Sequence, residues 1–180
     1  MTRILALCGS LRAASSNGAL LDAAAQLAPA GVRVERFAGI GELPHFNPDL
    51  DREGDTPPPA VARWRAALRE CDAVLLSSPE YVHGVPGALK NALDWIVSSG
   101  ELSGKPLAQI DTSRSHFATP QLREILATME ARIVPEASIT LQLASSRVDA
   151  RTILANESSA SALRTAVAAL VANAREAVSE

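Results

Sequence analysis

The stretch Gly9-Ser10-Leu11-Arg12-Ala13-Ala14-Ser15-Ser16-Asn17 places a glycine, an arginine and four short polar side chains between an apolar run and a helical one. Such a turn suits an anion. Glycine lets the backbone turn closely, the first N–H groups of a helix lack intrahelical acceptors and sit at the positive end of its dipole, and Arg12 adds a formal charge. A phosphate held this way needs no metal, unlike one in a GxxxxGK[ST] loop; that motif and GxGxxG are both absent. The plainer alternative is a helix capped by Ser15 or Ser16 with solvated neighbours. A second stretch, Ser78-Pro79-Glu80-Tyr81-Val82-His83-Gly84-Val85-Pro86-Gly87, is stiffened by Pro79 and Pro86, while Gly84 and Gly87 allow close backbone approach to a flat ligand such as an aromatic heterocycle. Within it Tyr81 reads as a ligand contact or as loop packing, His83 as an acid or base or as a solvated imidazole, and Glu80 as a ligand neighbour or a turn carboxylate.

The elements that must position these turns alternate. Strand-like runs at Arg3 to Cys8, Val32 to Phe37, Ala73 to Ser77, Pro106 to Asp111 and Arg132 to Ile139 are separated by helical ones at Ser16 to Ala28, Pro58 to Cys71, Pro86 to Val97 and Pro120 to Ala131, and a last helix spans Ser158 to Val178. This order predicts five parallel strands joined by helical crossovers. Ile4-Leu5-Ala6-Leu7 and Ala73-Val74-Leu75-Leu76 are continuously apolar, as strands covered by helices on both faces are. In the last helix Leu163, Val167, Leu170, Val171, Ala174 and Val178 form a core stripe, with Arg164, Arg175 and Glu176 towards water. In such a sheet ligands bind beyond the carboxyl ends of the strands where the order reverses, which makes the two turns neighbours. The aperiodic stretch from Ala38 to Pro57 is long enough to suggest a functional loop.

Length and composition narrow the function. The 180 residues suit one domain, spanning residues 1–180, and 47% hydrophobic with 21% charged residues is a globular balance. A net charge of -3 without a basic run argues against nucleic-acid binding, and the apolar runs fall short of a membrane span. The opening reads as a strand and not a secretory leader, giving a cytoplasmic expectation. Cys8 and Cys71 lack metal-site spacing and read as buried free thiols.

Three segments together resemble the NADPH-dependent FMN reductase family, whose relatives include quinone, chromate and azo-dye reductases. They are Gly9 to Asn17 with Leu20, Leu43-Pro-His-Phe-Asn-Pro-Asp-Leu50, and Pro79-Glu-Tyr-Val-His-Gly-Val-Pro-Gly-Ala-Leu-Lys-Asn-Ala-Leu-Asp-Trp95, and the match covers roughly residues 3 to 112. The resemblance implies a flavodoxin-like, doubly wound five-stranded parallel sheet of order 2-1-3-4-5. It places the FMN phosphate on Ser10, Arg12, Ser15, Ser16 and Asn17, and the isoalloxazine against Pro79, Glu80, Tyr81, Val82, His83 and Gly84. Asp111-Thr-Ser-Arg-Ser-His-Phe-Ala-Thr-Pro120 departs from the Gly-rich loop common in the family and resembles a variant branch in which Ser113, Arg114 and Ser115 meet the flavin edge. Val82 stands where many relatives carry Asn.

The implied activity passes hydride from NADPH or NADH through FMN to a small acceptor, namely a quinone, free flavin, azo compound or metal oxyanion. Flavin chemistry needs no protein acid or base, so no catalytic side chain is expected. Backbone N–H groups of Tyr81 to Gly84 are candidates for stabilising charge on the reduced ring. On Pro86 to Val97, Leu89, Leu93 and Ile96 suit the sheet while Ala88, Ala92 and Trp95 form a second apolar face, which together with the resemblance points to a homodimer or tetramer through this helix, with Lys90, Asn91 and Asp94 as interface polar residues. Trp95 covering the sheet edge is the alternative. Two rival functions are a flavodoxin-type electron carrier without nicotinamide activity, against which Arg12 and the modest charge argue, and a flavin-poor dimeric ligand-binding relative.

Overall fold

A computed structural model describes residues 1–112, 115–143, 145 and 147–179, with backbone only at 178 and 179. Strands β1 (Thr2–Cys8), β2 (Val32–Phe37), β3 (Ala73–Ser77), β4 (Pro106–Thr112), β5 (Arg132–Ile133) and β6 (Ile139–Leu141) alternate with helices α1 (Ser16–Gln26), α2 (Pro59–Arg69), α3 (Gly87–Asp94), α4 (Ala118–Thr128), α5 (Ala150–Ala155) and α6 (Glu157–Ser179). The sheet is parallel in the flavodoxin-like order β2-β1-β3-β4-β5, with β6 also on β4.

The continuous apolar runs divide between two cores. Ile4, Ala6, Cys8, Ala73, Leu75, Ala108 and Ile110 face one core with Leu20 and Ala24 of α1 and Leu163, Val167, Leu170 and Ala174 of α6. Leu5, Leu7, Val74, Leu76 and Leu107 face the other with Val61, Trp64 and Leu68 of α2, Leu89 and Leu93 of α3, and Leu122 and Leu126 of α4. Alternate residues of a strand point to opposite faces, so a run apolar at every position is what a sheet covered on both sides requires. Both cysteines are buried and free.

The expected fifth strand, Arg132 to Ile139, is two short strands. Arg132–Ile133 pair with Pro106 and Leu107, a 3-10 turn at Pro135–Ala137 ends that strand, and the second piece, Ile139–Leu141, starts only at the last expected residue and pairs with Ile110 to Thr112. Proline has no N–H for the ladder. Ser138 bridges the gap instead: its Oγ accepts from the Gln109 N–H at 3.2 Å and donates to the Val134 carbonyl at 2.9 Å. Helix α5 adds a short helical element, capped by Asp149, which accepts from the Thr152 N–H.

Trp95 does not form an outer face. It is fully buried within the subunit, its Nε1 donates to the Pro44 carbonyl at 2.8 Å, and Phe46 meets its ring edge-on at 5.2 Å. Asn91 is likewise internal, donating to the Pro44 carbonyl at 2.9 Å and accepting from the Phe46 N–H at 2.7 Å. Ala92 is also buried, while Lys90 and Asp94 form an ion pair along the helix. The Trp95-based argument for an interface therefore fails: the Leu43 to Leu50 segment covers this face from within the same chain. That segment is anchored further by the buried pair of Asp51 and Arg65, whose guanidinium also donates to the Trp95 carbonyl at 2.6 Å. Burial opposes ionisation of Asp51, but the Ser98 hydroxyl and the Arg65 guanidinium outweigh it and hold the carboxyl below its usual range. The aperiodic stretch from Ala38 to Pro57 thus has a structural task, holding down α3.

Candidate functional site

The order of strands reverses between β1 and β3, and the turns that follow them meet at the carboxyl edge of the sheet. Gly9 makes the meeting tight. Its N–H donates to the Ser77 carbonyl at 2.9 Å, and a Cβ on it would lie 2.3 Å from Ser78 Oγ and 2.9 Å from Ser78 Cβ. Beyond Gly9 the chain turns into α1, with Ser15 as the cap accepting from the Gly18 N–H at 3.4 Å. The N–H groups of Ala13, Ala14, Ser16 and Asn17 find no acceptor among the described residues. Buried Asn17 accepts from the Ser77 hydroxyl at 3.0 Å, which fixes its amide at the turn. A cavity of about 190 Å³ opens here, lined by Ser10, Arg12, Ser15, Ser16, Asn17, Pro79, Glu80, Tyr81, Thr112, Ser115, Leu143 and Ser145.

The turn after β3 is braced on both sides. Ser10 Oγ and the Tyr81 hydroxyl share a hydrogen bond at 3.4 Å, and Ser115 Oγ donates to the Ser78 carbonyl at 3.5 Å. One Glu80 oxygen accepts the N–H groups of Phe117 at 2.6 Å and Ala118 at 2.9 Å, capping α4. Those backbone hydrogen bonds, Ala118 foremost, hold the Glu80 carboxyl below its usual range. Glu80 is thereby committed to positioning the turn.

Tyr81 to Gly84 closes as a two-residue hairpin. The Tyr81 N–H donates to the Gly84 carbonyl at 3.1 Å and the Gly84 N–H returns to the Tyr81 carbonyl at 3.0 Å. Left-handed backbone falls on Val82 and His83, with φ of 50° and 59°, and not on a glycine. Two of the four N–H groups expected to face a reduced ring are consumed by this pairing, leaving those of Val82 and His83. The side chains at the tip turn outward: Val82 is 102% exposed, and His83 stacks on exposed Phe117 at 4.2 Å while its carbonyl accepts from Gln121.

Nine expected site residues, Ser10, Arg12, Ser15, Ser16, Asn17, Pro79, Glu80, Tyr81 and Ser115, line this cavity. Val82, His83 and Gly84 stand outside its lining. Ser113 and Arg114 lie outside the described residues. The lining also takes in Thr112, Leu143 and Ser145, which no motif marks. The signal available for them was position, since Thr112 ends β4 and Leu143 and Ser145 follow β6 at the same carboxyl edge.

The residues present fit FMN. Unpartnered N–H groups at a helix start, with Arg12 lining the same cavity, match a phosphate; Pro79 and Tyr81 offer an apolar wall; and among the described lining residues the one carboxylate, Glu80, is already engaged. Comparison with known proteins agrees with this chemistry. An NAD(P)H-dependent FMN reductase of Pseudomonas aeruginosa is 36% identical over 155 residues, covering 83% of this chain and 82% of that protein. A 2-hydroxy-1,4-benzoquinone reductase of Burkholderia is 33% identical over 171 residues, 91% of each chain. The solved structure of a flavoenzyme NAD(P)H:(acceptor) oxidoreductase from Paracoccus denitrificans superposes with a TM-score of 0.78 at 29% identity, covering 98% of both chains. The family described as NADPH-dependent FMN reductase matches residues 2–145, and the chain belongs to that family.

Proposed function

We propose that this protein is an FMN-dependent NAD(P)H oxidoreductase that transfers hydride from a reduced nicotinamide to a small oxidised acceptor, a quinone being the class best supported. The observation that carries the reading is that Ser16 and Asn17, whose N–H groups find no acceptor among the described residues, line one cavity with Arg12, Pro79 and Tyr81. FMN, when bound, supplies the two-electron chemistry. Ser10, Arg12, Ser15, Ser16 and Asn17 hold the phosphate, and Pro79 and Tyr81 orient the ring. Glu80 and Ser115 keep that wall fixed by tying it to α4 and to the loop after β4. The N–H groups of Val82 and His83 remain to meet negative charge developing at the ring edge. Exposed Leu11, Tyr81, Val82 and Phe117 give apolar surface beside the cavity, in keeping with a planar organic acceptor.

Quinone reductase names among the relatives support the acceptor class. We include in the proposal a single domain, a cytoplasmic location and a homodimer or tetramer, the last on the family resemblance alone. No helix among the described residues is long and apolar enough to cross a membrane. The test is anaerobic titration of FMN-loaded protein with NADPH or NADH while following the oxidised-flavin absorbance, then addition of a quinone. Bleaching reversed by the quinone supports the proposal. A yellow protein that neither nucleotide bleaches is an electron carrier, and a protein that stays colourless with added FMN refutes both flavin readings.

A further inference from the structure

Among the described residues, four of the seven large apolar side chains that stay exposed gather at one place. Leu11 sits on the turn after β1, Tyr81 and Val82 on the turn after β3, and Phe117 just before α4, all at the carboxyl edge of the sheet. Single exposed residues of this kind need no account, but a group of them at the rim of a cavity marks a surface that takes a ligand or a partner.

One arrangement within this group is held in place. His83 and Phe117 stack with ring centroids 4.2 Å apart and planes 27° from parallel. They come from opposite loops: His83 stands two residues beyond Tyr81 and Phe117 two beyond Ser115, and both Tyr81 and Ser115 line the proposed flavin cavity. Each is fixed through its backbone. The His83 carbonyl accepts from Gln121 Nε2 at 3.0 Å, and the Phe117 N–H donates to the Glu80 carboxylate, itself on the cavity wall, at 2.6 Å. The side chains have no such engagement. The imidazole nitrogens make no hydrogen bond with any described residue, and the Phe117 ring is half exposed. His83 also sits in left-handed backbone, at φ 59°. An unburied phenyl ring and a left-handed histidine both cost stability, and such costs concentrate where a surface is shaped for binding.

A pre-ordered pair of planar rings suits another planar ring, which gains an aromatic contact without first ordering the side chains. A hydrated oxyanion gains nothing from it. Because the stack stands at the rim and outside the cavity lining, the ligands it helps are those that extend past the cavity. We propose that the His83–Phe117 stack is a second binding platform for the electron acceptor, and that it makes the protein favour fused-ring acceptors of naphthoquinone or flavin size over single-ring benzoquinones. The inference rests on the function proposed above.

The test measures the ratio of kcat/KM for menadione, a naphthoquinone, to that for benzoquinone in FMN-loaded wild type, Phe117→Leu and Phe117→Tyr. Differences in the intrinsic reactivity of the two quinones cancel when the ratio is compared between proteins. Leucine keeps the apolar bulk and removes the planar face, and the ratio is expected to fall roughly two- to tenfold; tyrosine keeps the face and should hold the wild-type ratio. An unchanged ratio in Phe117→Leu overturns the proposal, as does an equal fall in Phe117→Tyr, which would show that planarity is irrelevant. Where Phe117→Leu does not fold, His83→Asn carries the test, since asparagine tolerates left-handed backbone and removes the other ring of the stack; the same fall in the ratio is expected, and its absence is equally fatal. If neither nucleotide bleaches wild-type flavin, the proposed function fails separately. Calorimetric titration of the oxidised, FMN-loaded proteins with menadione then tests the platform without turnover: weaker binding to Phe117→Leu supports it, and equal binding overturns it.

Discussion

Gly9→Ala should cost stability through one contact, and the structure sets the size of the effect. The added Cβ would lie 2.3 Å from Ser78 Oγ, 2.9 Å from Ser78 Cβ and 3.1 Å from Leu89 Cδ2. The hydroxyl can rotate away at the loss of its 3.2 Å contact with the Pro79 carbonyl, but Ser78 Cβ moves only with the backbone. The turns after β1 and β3 must therefore separate by several tenths of an ångström. Overpacking of this kind costs about 1–3 kcal/mol, and the lower entropy of alanine in the unfolded chain returns about 0.4–1 kcal/mol. The net loss is at most about 2.6 kcal/mol and centres near 1.3 kcal/mol, and at about 2–4 °C per kcal/mol for a chain of this size the midpoint of apoprotein unfolding should fall by about 3–5 °C at that centre. Because the same separation lengthens the Ser10 to Tyr81 contact, FMN affinity should fall with it. Thermal unfolding of the apoprotein and flavin titration of wild type, Gly9→Ala, Ser78→Gly and the double variant provide the assay. Ser78→Gly removes both close atoms, so the double variant should regain much of what Gly9→Ala loses relative to the Ser78→Gly background. Additive losses in this cycle would refute the steric reasoning.

Three other substitutions probe separate features. Val82→Asn replaces a β-branched residue at φ 50° that packs on nothing; asparagine tolerates this region, so thermal unfolding should show a gain of about 1 kcal/mol, and an unchanged or lower midpoint would count against the strain. Asn91→Ala removes both hydrogen bonds to the Pro44 and Phe46 backbone and should cost about 1–3 kcal/mol in urea unfolding, with Trp95 fluorescence shifting to the red as water reaches the ring. Asp111 is buried with Oδ2 unpartnered among the described residues, and burial, ahead of its contacts with Gln109 and Thr119, raises its carboxyl above the ordinary 3.8. A raised acid favours the folded state below its unfolded pKa and loses that contribution as pH rises through the folded value. Asp111→Asn should therefore stabilise the protein near neutrality, with the gain shrinking towards pH 4; a gain that grows on acidification would show the sign to be wrong.

What could be read directly from the residues followed from local physical constraints. Ile4 to Leu7 and Ala73 to Leu76 declare a doubly covered sheet because both of their faces are apolar, and Ser10 to Asn17 declare an anion turn because a strand, a glycine and a helix start are contiguous there. Pro135 inside the expected fifth strand was a legible warning, since a proline cannot serve a ladder on its N–H side. Asp149 with Thr152 likewise marked the start of α5. Other features depend on contacts distant in sequence. Glu80 caps a helix 37 positions away, and the Trp95 ring is covered by a carbonyl 51 positions earlier. Helix periodicity can identify a second apolar face on α3, but whether a subunit or a loop covers it is a tertiary fact.

The interruption at Pro135 also bears on the fate of the protein at high concentration. A sheet margin with a continuous row of free N–H and C=O groups invites another chain to pair with it and seed an aggregate. On one margin here the ladder is split into a two-residue and a three-residue piece, with Pro135 and the Ser138 side chain between them. The opposite margin, β2, carries Arg33, Glu35 and Arg36 along its six residues. Neither margin offers a long, flat, uncharged template, so a deletion or substitution that let residues 132 to 141 run as one unbroken strand would be expected to leave the fold intact and make the protein prone to self-association.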